Sequence, residues 1–95
     1  MIGLAKQKVP NGKLLIVKLE HEDGKITCVE LLGDFFLYPE ETVYKIEGAI
    51  KGMDVNTSET DIISKVKAIA EAEKATMLGI TPEAIAQTVK AAVKQ

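Results

Sequence analysis

From Lys13 to Tyr38 the chain favours the branched and aromatic residues of strands. From Pro39 onward its apolar residues recur at helical spacing. This single change of period is the strongest constraint on the fold. Parallel-sheet architectures need strands and helices in alternation, and here they come in separate blocks. The expectation is an α+β fold: a small antiparallel sheet of two to three strands, hairpin first, with three helices packed on one face. At 95 residues the chain is one small domain, 1–95, since a domain takes on the order of 100–150 residues.

Residues 1–8 read as a lead-in and residues 9–38 as the strand region. Val9-Pro10-Asn11-Gly12 is a turn signal. Leu15, Val17 and Leu19 alternate with Ile16, Lys18 and Glu20, which predicts a strand with one buried face. Asp23-Gly24 is a hairpin signal, because both positions tolerate positive φ. On the return strand Ile26, Val29 and Leu31 break parity. A bulge near Thr27-Cys28 restores a common inner face for all three. Without it Glu30 shares the inner face, at the cost of a buried unpaired carboxylate. Gly33 marks a bend, and Phe35-Phe36-Leu37-Tyr38 can pair as a third short strand.

Three helices follow, over 39–52, 58–75 and 81–94. Pro39 suits a first helical position, and Glu40 and Glu41 complement the helix dipole. Val43, Ile46 and Ile50 form the first stripe, with Gly52 as its stop. Ser58 with Asp61 resembles a capping box. Ile62, Val66, Ile69 and Ala70 form the second stripe. Met77-Leu78-Gly79-Ile80 is a short apolar connector that can run extended, and Thr81-Pro82-Glu83 is a helix start. Ile85, Val89, Ala92 and Val93 form the third stripe.

The inventory for chemistry is short. One Cys excludes an internal disulfide and a Cys-based zinc site, and one His excludes a multi-histidine metal site. All 12 basic residues are Lys, against 14 acids, for a net charge of −2. Without a basic face or an arginine fork the chain does not read as a nucleic-acid binder. The longest apolar run is four residues, Leu14 to Val17, against the ~20 needed to span a bilayer, so no membrane is expected. The N-terminus has no long apolar stretch of a secretory signal. A lone Cys fits a reducing cytoplasm.

His21 beside the hairpin reads as a general base or metal ligand, or as a solvated turn residue. A base needs an orienting carboxylate and a nucleophile, and the sequence places no nucleophile nearby. Cys28 reads as a nucleophile or as a structural mid-strand residue, away from the basic settings that activate thiols. No phosphate-cradling glycine motif occurs.

All four aromatic residues lie between positions 35 and 44. Adjacent Phe35 and Phe36 on a strand point to opposite faces, so only one can enter a one-sided core. The other is a candidate interface anchor.

At these residues the sequence resembles a family. Pro10-Asn11-Gly12-Lys13-Leu14, Gly33-Asp34-Phe35-Phe36-Leu37-Tyr38-Pro39-Glu40-Glu41 and Gly79-Ile80-Thr81-Pro82-Glu83 are similar to segments of the accessory domain of lipoate–protein ligases. The closer likeness is to the separate small subunit found where that ligase is split into two chains. Asn11 stands where the family commonly has a glycine, and Asn also tolerates turn geometry. The resemblance runs from about residue 8 onward. It implies a fold similar to iron–sulfur scaffold proteins. It implies a heterodimer with a large catalytic subunit that holds ATP, Mg and lipoate, makes lipoyl-adenylate and transfers lipoyl to acceptor domains. The small subunit is then needed for activation, with no catalytic residues and no bound cofactor or metal of its own.

Lys13, Asp34, Phe35, Phe36 and Tyr38 are the interface candidates. Lys13 also reads as an aid to an anionic substrate or as an ordinary strand-edge lysine. Two alternatives stand beside this reading: a sulfur acceptor or iron–sulfur assembly protein, and a generic interaction module.

Overall fold

The computed structural model describes residues 1–9 and 13–94, so the expected turn at Pro10-Asn11-Gly12 lies outside the described residues. The elements are β1 (Ile2–Lys8), β2 (Leu14–Glu22), β3 (Lys25–Gly33), β4 (Phe36–Tyr38), α1 (Glu41–Ile50), α2 (Glu59–Glu73), β5 (Thr76–Leu78) and α3 (Pro82–Val93). Strands β1, β2 and β3 form an antiparallel sheet in that order, and β4 pairs with β5 in a separate two-stranded ribbon. The fold is α+β.

Residues 1–8 are not a lead-in. Ile2–Lys8 form an edge strand whose Gly3 and Ala5 pair with Leu19 and Val17 of β2. The covered face of β1 is built from small residues because α3 presses closely on it. A Cβ at Gly3 would meet the Ala92 carbonyl. Small residues on the inner face leave no branched alternation, which is why the strand was not visible as a pattern.

The hairpin forms where expected. Asp23 and Gly24 both have positive φ, 52° and 79°, and Glu22 pairs with Lys25 across the turn. The bulge falls at Thr27: Glu20 pairs with Cys28 and His21 with Ile26, leaving Thr27 unmatched. Ile26, Val29 and Leu31 are therefore all buried.

The aromatic run does not join the main sheet. At Gly33 the chain turns away, and β4 finds its partner in the connector after α2. Pro39 is not the first helical residue either. It precedes α1 by two positions, and its carbonyl accepts the Thr42 N–H at 3.0 Å. The other two helix starts follow their side chains. The Ser58 hydroxyl accepts the Asp61 N–H at 3.1 Å, and the Thr81 hydroxyl accepts the Ala84 N–H at 3.0 Å, with Pro82 first in α3. Each cap satisfies one orphan N–H of its helix.

The core lies between the sheet and the helices. Leu15, Val17 and Leu19 of β2 meet the helix layer, with Ile46 and Ile50 of α1, Ile62 and Val66 of α2, and Ile85 and Val89 of α3. Burying each such side chain contributes roughly 1.5–3 kcal/mol. Helix α3 packs on β1, β2 and α2 together, so Ala84, Ala86 and Thr88 are buried beyond its expected stripe. Thr88 stays satisfied there through the Ala84 carbonyl at 2.7 Å and the Gln7 side chain at 2.8 Å.

The outer edge of β3 is partly closed. Ile26 donates to the Met53 carbonyl at 2.9 Å, and its own carbonyl accepts the Gly52 N–H at 2.7 Å. Further along, the Leu31 N–H donates to the Glu47 carboxylate at 2.8 Å.

Candidate functional site

The start of β2, the β3–β4 turn and the β5–α3 loop meet at one corner of the molecule. Asp34 ties the first two together. Its carboxylate accepts the Leu14 N–H at 2.7 Å, and its own N–H donates to the Leu14 carbonyl at 3.3 Å. Gly33 makes this clamp possible. Its φ of 144° suits glycine, and a Cβ there would strike the Leu14 carbonyl. Lys13 ties in the third segment: its stem lies over Gly79 (φ 75°), where a Cβ would collide with the Lys13 side chain. The Lys13 side chain otherwise faces solvent.

The ribbon beside this corner is sharply two-faced. Leu37 points inward and is buried, with half-buried Met77 opposite it. Phe36 and Tyr38 point outward, 52% and 60% exposed, and their rings stack with centroids 6.2 Å apart and planes 6° apart. Leu78, 58% exposed, stands opposite Phe36 in the register. Three large apolar side chains thus share one solvent-facing surface.

Phe35 goes the other way. It is half-buried against the core, while Leu37 is the fully buried residue of this stretch. Of the five residues singled out from the sequence, the structure gathers Lys13 and Asp34 at the corner and Phe36 and Tyr38 on the ribbon's outer face. Phe35 is turned inward. Leu78 was missed because a three-residue strand shows no usable alternation, and only the β4–β5 pairing brings it to Phe36.

The remaining reactive side chains stand apart. Cys28 is exposed on the open face of the sheet, opposite Glu20. His21 lies at the far hairpin, beside an open cleft of about 550 Å³ shared with Met1 and Asp23. Its Nε2 is buried without a hydrogen-bond partner. Among the described residues, no group of three or more His, Cys, Asp or Glu side chains is placed to hold a metal ion. No described helix is long and apolar enough to cross a membrane.

No family model matches the sequence, and no curated protein is significantly similar to it. The solved structures do contain this fold. The chain is similar to one in the structural analysis of an archaeal lipoylation system, a bi-partite lipoate protein ligase and its E2 lipoyl domain from Thermoplasma acidophilum. The TM-score is 0.77, at 21% identity, over 94% of this chain and 94% of that one. The two chains are therefore nearly equal in length and share one architecture over 94% of each.

Proposed function

We propose that this chain is the accessory subunit of a two-chain lipoate–protein ligase. The observation that carries the reading is the match, over 94% of both chains, to a chain of a bipartite ligase system. Two further features support it. Lys13-Leu14, Gly33-Asp34 and Gly79, which belong to the three segments that resemble the ligase accessory domain, meet at one corner, and beside that corner three large apolar side chains face solvent. Aromatic residues are enriched at the anchors of protein interfaces.

In this reading ATP, Mg and lipoate bind the large subunit, in the cytoplasm, and this chain supplies no catalytic group. Docking shifts the large subunit toward its adenylation-competent state, which requires tighter binding to that state than to the other. Phe36, Tyr38 and Leu78 are the anchors. Lys13 and Asp34 set the frame that holds them, and Phe35 packs half-buried against the core.

The test mixes this chain with a candidate large subunit, ATP, Mg and lipoate, and measures lipoyl-adenylate. Formation is expected to need both chains. Full activity of the large subunit alone would sink the proposal. Cys28→Ser separates this reading from sulfur transfer: adenylation is expected to be unchanged, whereas a sulfur acceptor would lose its function.

A further inference from the structure

Phe36, Tyr38 and Leu78 make too small a surface to hold a partner by themselves. A Phe or Tyr side chain buries on the order of 150–250 Å² when fully covered. These three residues are little more than half exposed, so together they offer roughly 300–400 Å². A stable complex needs about 800 Å² from each side. The rest has to come from surface that adjoins the ribbon.

The apolar surface continues in one direction. Leu32 and Phe36 line the same cleft of about 490 Å³, so the ribbon's outer face meets the end of β3 there. Leu32 pairs with Ile16 of β2. Alternation puts both on the face opposite the buried Leu15, Val17 and Leu31. Leu14 lies two residues before Ile16 on that open face, and Leu4 of β1 stands diagonal to Ile16 across the β1–β2 pairing. Leu4, Leu14 and Leu32 are exposed, and Ile16 is half-buried. Lys6, Lys18 and Glu30 flank them, which gives the open face an apolar centre and a polar rim, the make-up of a partner surface. The helix side differs: among the described residues, α2 and α3 expose no large apolar side chain.

The free edge of β1 is a poorer route for a partner. It carries Lys6 and Lys8, and lysines on an edge strand oppose the addition of another strand. Packing across the face meets no such obstacle.

We propose that the large subunit packs across two adjoining surfaces, the ribbon's outer face and the open face of the three-stranded sheet from Leu32 to Leu4. This rests on the accessory-subunit reading and extends its interface beyond the three anchors. One occupant covers both patches because the ribbon alone falls short of the area required and the patches join at Leu32 and Phe36.

The experiment measures binding of the full chain to the large subunit for wild type, Leu4→Ser/Leu32→Ser and Tyr38→Ala, with thermal melting to confirm that each variant is folded. A second measurement places a single thiol at the far end of the proposed surface, with Leu4→Cys in a Cys28→Ser background. Its alkylation by iodoacetamide is followed in the free chain and at saturating large subunit. The double serine variant is expected to weaken binding by about tenfold or more. Complex formation is expected to slow alkylation severalfold.

Wild-type affinity in the double serine variant, with Tyr38→Ala still impaired, overturns the sheet-face assignment and leaves the accessory reading standing. Weaker binding without slower alkylation makes the effect indirect and overturns the assignment as well. No binding by wild type overturns both readings. A dimer of this chain alone that the double serine variant abolishes would give the face to a second copy, and would also overturn the assignment.

Discussion

The covered face of the three-stranded sheet and the β4–β5 ribbon treat apolar residues in opposite ways. On the sheet, Leu15, Val17 and Leu19 are buried beneath helices, and the polar Lys18 and Glu20 face solvent. On the ribbon, one apolar residue in each strand turns inward, and Phe36, Tyr38 and Leu78 remain outside. The sheet is organised for its own stability. The ribbon carries more apolar surface than the core can cover, and a surface of that kind fits a partner. The sheet also leaves Ile2, Leu4, Leu14 and Leu32 exposed, so what marks the ribbon is the stacked Phe36–Tyr38 pair with Leu78 opposite it.

Substitutions can test that division, and the largest effect belongs to the core. Ile85→Ala is expected to cost about 2–5 kcal/mol, read as a lower urea midpoint, because Ile85 is fully buried between sheet and helices. A cost near zero would mean that the helix layer is not the stable half. Phe35→Ala comes next. It is expected to cost less than the ~3–5 kcal/mol of a fully buried Phe, since its ring is half-buried. Gly79→Ala is expected to cost more than about 1 kcal/mol in the same assay, from its positive φ and the overlying Lys13 stem. Thr81→Ala removes the cap of α3 and is expected to lower stability by about 0.5–2 kcal/mol. Tyr38→Ala sits at the bottom of the stability scale, within about 1 kcal/mol, while lowering affinity for the large subunit. Unfolding by Tyr38→Ala, or full affinity after it, would erase the contrast between the two regions.

Much of this was legible in the chain. The period change at Pro39 marked the α+β class, and the parity break at Ile26, Val29 and Leu31 located the bulge to within a residue. Ser58 and Thr81 marked their helix starts because capping is local chemistry. Strand β1 was hidden because its inner positions are Gly3 and Ala5, sized for the approach of α3. Strand β5 was hidden because three residues carry no period. At the candidate site, the aromatic run was visible, but the choice between Phe35 and Phe36 depended on where Gly33 turns the chain. The place of Leu78 beside Phe36 is a product of tertiary pairing and had no local signal.

The contact between β1 and α3 has a kinetic consequence. The two elements lie at opposite ends of the described chain, yet they close on each other through Gly3 and Ala92. Contacts of such long sequence separation slow folding, because loop closure must precede any gain from packing. During synthesis, the inner faces of β1 and β2 stay uncovered until α3 has left the ribosome. The nascent sheet is therefore expected to depend on chaperones, or on rapid completion of its last helix, to avoid sticking to other chains.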